Sequence, residues 1–406
     1  MDIFRFITAG NVDDGKSTLI GRLLYDTNNI KDDILQSIGD NTPEMNLAHI
    51  TDGLRAERQQ GITIDVAYKY FSTTNRKYII VDAPGHFQYT KNLVTGASGV
   101  DAMIILIDAQ NGITEQTRRH SLVASILKIK QVVIAVNKMD AIGYDEQVFT
   151  SIKNEYQQVA VKLQLLNLTF IPISALIGDN VSSPSQNMNW YCGVTLLQYL
   201  ENCIPFEEKS DNTRFSIQCN IHSEIKGLLS GNAGKLISGK LRNDDIILVF
   251  PSKVICAVTK IIHRNIEVHE AFEGQNITVY FAKNEVLERG SIISDFKGKP
   301  ICKNKFFGTI CWLDDNKPLT EGNEYLLRIN SSETKCRIIE VLYKIDNNTF
   351  DKYTDNRVEV NQFAKIEIGT YNFIAFDPYS KLRETGRGII IDPETNNTAG
   401  AFVIEG

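Results

Sequence analysis

The run GNVDDGKS at positions 10–17 constrains this chain more than any other stretch. It follows the apolar run Ile3–Ala9 and precedes the helical pattern TLIGRLLY. A strand that breaks into a glycine-rich loop and restarts as a helix gathers backbone N–H groups around an anion. The helix N-terminus adds positive potential at the same point. In this pattern Gly10, Asn11, Val12, Asp13, Asp14 and Gly15 form the phosphate loop, and Thr18 follows in the first helical turn. Lys16 reaches the β- and γ-phosphates, and Ser17 offers its hydroxyl to Mg²⁺. Asp13 either holds a monovalent cation, braces the loop or is a solvated turn carboxylate.

The surrounding pattern fixes the fold class. Apolar runs at Ile3–Ala9, Tyr78–Val81, Ala102–Ile107, Val132–Val136 and Thr169–Ile173 read as buried parallel strands. Helical patterns at Glu115–Leu127 and Asp145–Leu165 alternate with them, and a last helix near Thr195–Asn202 stops before Pro205. Repeated strand–helix units predict an open sheet covered on both faces. The polar stretch EEKSDNT at 207–213 reads as a linker. Beyond it, short strands alternate with turns, as in GKLISGKLRNDDIILVFPS and EGQNITVYF. The expected architecture is an α/β P-loop GTPase domain followed by two small antiparallel β-barrel domains. The expected bounds are 1–208, 212–298 and 300–406.

Four further motifs complete the pattern and say which nucleotide fits. In DAPGH, Asp82 ends an apolar strand where a carboxylate reaches the magnesium. Ala83 and Pro84 lead to Gly85, whose N–H can meet the γ-phosphate, and to His86, placed to orient an attacking water. NKMD follows the strand VVIAV. The Asp140 carboxylate matches guanine N1–H and its 2-amino group, two donors that adenine lacks at those positions. Asn137 and Lys138 brace the base and the loop. Ser174, Ala175 and Leu176 end the series with a further contact to guanine. In ERQQGITID, at 57–65, Thr63 can bind Mg²⁺ through its hydroxyl. The expected ligands are therefore GTP and Mg²⁺, with Ser17, Thr63 and Asp82 at the metal and His86 as the catalytic residue.

Composition narrows the setting. The net charge of −6 argues against a nucleic-acid or anionic-membrane binder. The seven scattered cysteines include no CxxC pair, as in reduced cytosolic chains. No cationic leader opens the sequence, and no run approaches the ~20 apolar residues of a membrane span. A cytoplasmic protein without a membrane partner is expected.

GITID, DAPGH and NKMD followed by two barrels resemble the translational GTPase superfamily, to which elongation factor Tu belongs. Within it, VDDGKS stands where elongation factors typically have VDHGKT. TDGLRAERQQGITIDVAYKYFST, GHFQYTKNLVTGAS, DAQNGITEQTRRHSLVASIL, SALIGDNV and FDPYSKLRETGRGIIIDPETNNTAGA closely resemble the GTPase (large) subunit of bacterial sulfate adenylyltransferase. The resemblance implies a partner, the small subunit of the ATP-pyrophosphatase type. That subunit transfers AMP from ATP to sulfate, and GTP hydrolysis on the large subunit drives the transfer. The other readings are a factor that delivers tRNA, a coupling subunit for another oxyanion, and a non-hydrolysing scaffold. Phe87 departs from the family's usual Glu, Ala9 from a common Cys, and Ser291 from an expected RGD. IHSEIKGLLSGNAGKL departs from the family's FRGYAG segment. Tyr379 and Arg383 are expected either at the subunit interface or in a structural turn.

Overall fold

The computed structural model describes residues 2–30, 47, 66–86, 90–205, 211–221, 230–282 and 287–405. Thr63 with its segment 57–65, Phe87, and residues 222–229 of the altered barrel segment lie outside them. The chain divides into two compact units, Met1–Phe206 with Asp346–Asp351, and Glu207–Ile345 with Lys352–Gly406.

The first unit is built on a six-stranded sheet of order β2-β3-β1-β4-β5-β6. The strands are β1 (Ile3–Ala9), β2 (Ala67–Ser72), β3 (Lys77–Asp82), β4 (Ala102–Asp108), β5 (Gln131–Asn137) and β6 (Leu168–Pro172). Only β2 runs antiparallel, paired with β3; the other neighbours are parallel. All seven residues of β4 are buried, as a central parallel strand requires. The helices are α1 (Lys16–Asp26), α2 (Thr90–Ala97), α3 (Glu115–Ile126), α4 (Glu146–Leu163) and α5 (Leu196–Asn202). Thr114 caps α3 by accepting the Thr117 N–H, and Thr195 caps α5 from Gln198 in the same way. The α4 face Phe149, Ile152, Tyr156, Val159, Leu163 is buried at helical spacing. The Tyr156 hydroxyl bonds the Ser121 hydroxyl at 2.7 Å and ties α4 to α3.

Because β1 lies between β3 and β4, the chain direction across the sheet reverses beside it. Ligands of open α/β sheets bind outside the strand carboxyl ends at such a point. The phosphate loop leaves β1 there.

The second unit holds two closed antiparallel barrels. The first contains β7 (Arg214–Ile221), β8 (Gly231–Ser238), β9 (Lys240–Arg242), β10 (Ile246–Phe250), β11 (Val254–His263), β12 (Ile266–Val268), β13 (Glu270–Phe272), β14 (Asn276–Phe281) and β15 (Ile292–Ser294). The order β10-β15-β7-β8-β14-β11 closes through a β10–β11 pairing. The second contains β16 (Ile301–Trp312), β17 (Leu319–Thr320), β18 (Glu324–Ile329), β19 (Ser332–Ile345), β20 (Lys352–Tyr353), β21 (Arg357–Val358), β22 (Phe363–Phe376), β23 (Arg387–Ile391) and β24 (Thr398–Ile404). Here β18-β23-β24-β16-β22-β19 closes through β18–β19. Closure removes the sheet edges that invite pairing with other chains. Alternating burial along β14 and β18 sends every second side chain into a barrel core.

The barrels share a small apolar cluster of Leu248, Phe250, Ile292 and Ala375. Beside it, Arg214 on β7 grips Asp377, just past β22, with bonds of 2.9 and 2.8 Å. Thr385 donates to the same carboxylate at 2.9 Å. Tyr379 and Arg383 are only 3% and 8% exposed, which fits the turn role and not a docking surface. Breaking a buried charge pair leaves one ion without its partner. Asp377→Ala should therefore cost about 3–5 kcal/mol in urea unfolding. The paired change Arg214→Met with Asp377→Leu should recover most of that loss.

Candidate functional site

The site forms where β1, β3, β5 and β6 end. Gly10 to Gly15 bridge β1 and α1, and two residues of this loop have positive φ: Asp13 at 70° and Gly15 at 91°. Gly15 must be glycine for a second reason: a Cβ there would lie 2.4 Å from Asn137 Nδ2. The loop is held from inside. The Asn11 N–H donates to Asp14 Oδ2 at 2.5 Å, and the Asn11 side chain accepts from the Val12 N–H at 2.9 Å. Lys16 Nζ donates to the Gly10 and Asn11 carbonyls at 3.0 and 2.7 Å. An ammonium has three donors, so one remains for a ligand. Ser17 and Thr18 are half-buried in the first turn of α1, while Asp13 is exposed.

Asp82 ends β3, 2% exposed, in register with Thr8 of β1. Ala83, Pro84 and Gly85 are buried, and His86 is half-buried beside them. Gly85 lies against the phosphate loop: a Cβ on it would meet Lys16 Nζ at 2.4 Å and the Gly10 carbonyl at 2.6 Å. Hence the two motifs expected to share a γ-phosphate are neighbours in space.

Asn137 ends β5 and is 2% exposed. Its Nδ2 donates to the Asp14 carbonyl at 2.8 Å, and its Oδ1 accepts from the Ala175 N–H at 2.9 Å. One side chain thus joins the phosphate loop to the segment after β6. Lys138 takes a left-handed conformation, φ 62°, and Asp140 follows in the short 3-10 turn Met139–Ile142. Asp140 Oδ1 is buried with no hydrogen-bond partner. A buried lone acceptor is costly unless a ligand supplies the donor. Ser174 and Ala175 are buried, and Leu176 is 41% exposed. Ser174 Oγ accepts the Ile177 N–H at 3.2 Å and shapes that turn.

Residues 1–206 match the elongation factor Tu GTP binding domain, and 305–405 match the GTP-eEF1A C-terminal domain-like family. Sulfate adenylyltransferase subunit 1 of Francisella tularensis subsp. novicida is 42% identical over 412 residues, 99% of this chain and 87% of the relative. The subunit 1 of Aeromonas hydrophila is 42% identical over 413 residues, 100% of this chain and 86% of the relative. The chain belongs to the sulfate adenylyltransferase subunit 1 family. A bifunctional enzyme CysN/CysC of Mycobacterium tuberculosis is 40% identical over 99% of this chain and 67% of its own length.

Three residues of this family member escaped the motif reading. Arg22 on α1 donates to the Ala175 carbonyl at 3.3 Å and to the Leu176 carbonyl, so α1 holds the Ser174–Leu176 turn directly. No sequence signal marks it, because the contact spans 153 positions. Asp108 ends β4 as Asp82 ends β3, and the same signal, a carboxylate closing an apolar run, would have found it. His120 on α3 is 4% exposed, and its Nδ1 has no hydrogen-bond partner.

Electrostatics reflect the burial of charge. Burial pushes the Asp14 carboxyl up to about 6, against the pull of the Asn11 N–H and the Lys16 ammonium. Burial also holds Lys16 below the ordinary lysine range, with Asp82 the strongest opposing charge. Burial, with the charges of Lys16 and Arg119, holds His120 down to about 3 from 6.5. Between those values the unfolded chain binds more protons at this group than the folded one. Its contribution is whole above pH 6.5 and is lost as pH falls toward 3. His120→Gln should flatten the fall in melting temperature between about pH 6.5 and 4. Asn137→Ala strands one donor and one acceptor, and should destabilise the first unit by on the order of 2–4 kcal/mol in thermal unfolding.

Proposed function

We propose that this chain binds and hydrolyses GTP and that the hydrolysis drives sulfate adenylylation by a partner subunit. The observation that carries the nucleotide reading is the unpartnered, buried Asp140 oxygen, in the turn that follows Asn137. A guanine offers that carboxylate two donors, and a site built around such a pairing rejects other bases by roughly 10⁴-fold or more. The full-length likeness to proteins named sulfate adenylyltransferase subunit 1 supports the sulfate assignment.

In this reading the phosphate loop's backbone N–H groups beyond Asn11 and Val12, with the third Lys16 donor, hold the phosphates. Asn137, Lys138, Asp140 and Ser174–Leu176 hold the base. The donor set of Ser17, Thr63 and Asp82, hydroxyls with a carboxylate, suits Mg²⁺, which when bound neutralises charge on the phosphate oxygens. Gly85 presents its N–H to the γ-phosphate and registers its loss. His86 orients the water that attacks the γ-phosphate. The implied partner is the small, ATP-pyrophosphatase-type subunit, which joins sulfate to AMP from ATP and releases pyrophosphate. In such a pair this chain supplies free energy and not the sulfate site.

The test mixes the purified chain with its small subunit, ATP and sulfate. Adenosine phosphosulfate should accumulate strongly with GTP, and only weakly without it or with a non-hydrolysable analogue. GTP binding without GTP-dependent product would overturn the coupling role. His86→Ala should cut partner-stimulated GTP hydrolysis by about 10²–10⁴-fold and leave nucleotide affinity nearly unchanged. Asp140→Asn replaces an acceptor with a donor. It should weaken GTP and strengthen xanthosine triphosphate, whose ring carries a carbonyl in place of the amine.

A further inference from the structure

Asp108 stands at the end of β4, 3% exposed, in register with Asn137 of β5. Its carboxylate does two things. Oδ1 accepts the Gln110 N–H at 2.8 Å, and Oδ2 accepts Asn111 Nδ2 at 3.1 Å. These bonds shape a turn in which the Asp108 carbonyl also accepts the Asn111 and Gly112 N–H groups. The same Oδ2 lies 2.9 Å from the Lys138 ammonium. The pair is asymmetric: the acid side chain is 3% exposed and the lysine side chain 33%. The buried acid therefore depends on the cation for charge compensation, while the lysine stays partly accessible to a ligand. Both charges act on the Asp14 carboxyl, Asp108 raising and Lys138 lowering its pKa, which places the pair next to the phosphate loop.

We propose that Asp108 is a positioning residue of the nucleotide site, fixing Lys138 in the conformation that receives the purine ring. The proposal rests on the reading of this site as a guanine-nucleotide site. A free lysine loses much rotamer entropy when a ligand orders it. Lys138 is already ordered, by its left-handed backbone and by a charge-assisted bond, so that loss is met on folding and not on binding. The bound nucleotide then leaves more slowly. The lysine stem meets the ring and not its substituents, so the effect is blind to the 2-amino group.

A turn-forming role alone would give different results, and asparagine separates the two. Asn at 108 keeps an oxygen for the Gln110 N–H, which holds most of the turn, but loses the ionic bond to Lys138 and the acceptor for Asn111 Nδ2. The experiment uses the full chain and follows dissociation of a fluorescent GDP from wild type, Asp108→Asn, Asp108→Ala, Lys138→Ala and the double variant Asp108→Asn with Lys138→Ala. Asp108→Asn should lower the melting temperature less than Asp108→Ala does and release GDP about tenfold faster. Its preference for GTP over ITP should equal that of wild type. In the Lys138→Ala background, Asp108→Asn should add nothing. Wild-type release from Asp108→Asn, or a full effect persisting without Lys138, would overturn the proposal. Asp108→Ala should also lower the melting temperature, because it removes the turn. Failure of the wild-type chain to bind GDP at all would instead sink the guanine reading, and the proposal with it.

Discussion

The site depends on one amide. Asn137 spends its donor on the Asp14 carbonyl and its acceptor on the Ala175 N–H. Those two groups belong to loops more than 150 positions apart. The amide fits because Gly15 has no side chain to fill the same space. Arg22 ties the same two regions from the other side, bonding from α1 to the Ala175 and Leu176 carbonyls. Two segments distant in sequence are thereby held at a fixed separation, so a ligand spanning them as proposed would meet little further ordering cost.

A second constraint is the amount of charge the first unit buries beside that amide. Asp14, Lys16, Asp82 and Asp108 are all less than a tenth exposed. Isolated ions are costly at such depth, and Lys16, Asp14 and Asp108 are each answered by a hydrogen-bonded group. Lys16 is held by two carbonyls, Asp14 by the Asn11 N–H, and Asp108 by Lys138 and its own turn. The raised Asp14 carboxyl and the lowered Lys16 ammonium show that the compensation is incomplete. Burial, with the charges of Lys16 and Arg119, also disfavours a charged His120.

The barrels follow simpler physics. Closure satisfies their strand edges, and alternating side chains fill their interiors. The Arg214–Asp377 bond and the Leu248–Ala375 cluster then join the two barrels within their unit. Tyr379 and Arg383 show the limit of reading polar side chains as surface. Both look available in the sequence, yet the ordered turn after β22 buries them.

By itself the sequence determined the elements that depend on local pattern. Buried parallel strands announce themselves as apolar runs, and all five expected runs are strands ending within about two residues of the expected positions. The phosphate loop, Asp82, Asn137 and Asp140 are legible because each follows such a run, and a strand's end fixes where the next side chain emerges. Asp108 carries the same signal, at the head of the DAQNG stretch, but its partner Lys138 lies 30 positions away. Tertiary structure alone decided the rest. It set which carbonyl Arg22 would meet, which loop Asn137 would brace, that His120 would be buried without a partner at Nδ1, and that Asp108 would hold Lys138. These contacts join residues distant in sequence through strand order and register. Strand order comes from packing the whole sheet between its helices, a global balance that no local run of residues encodes.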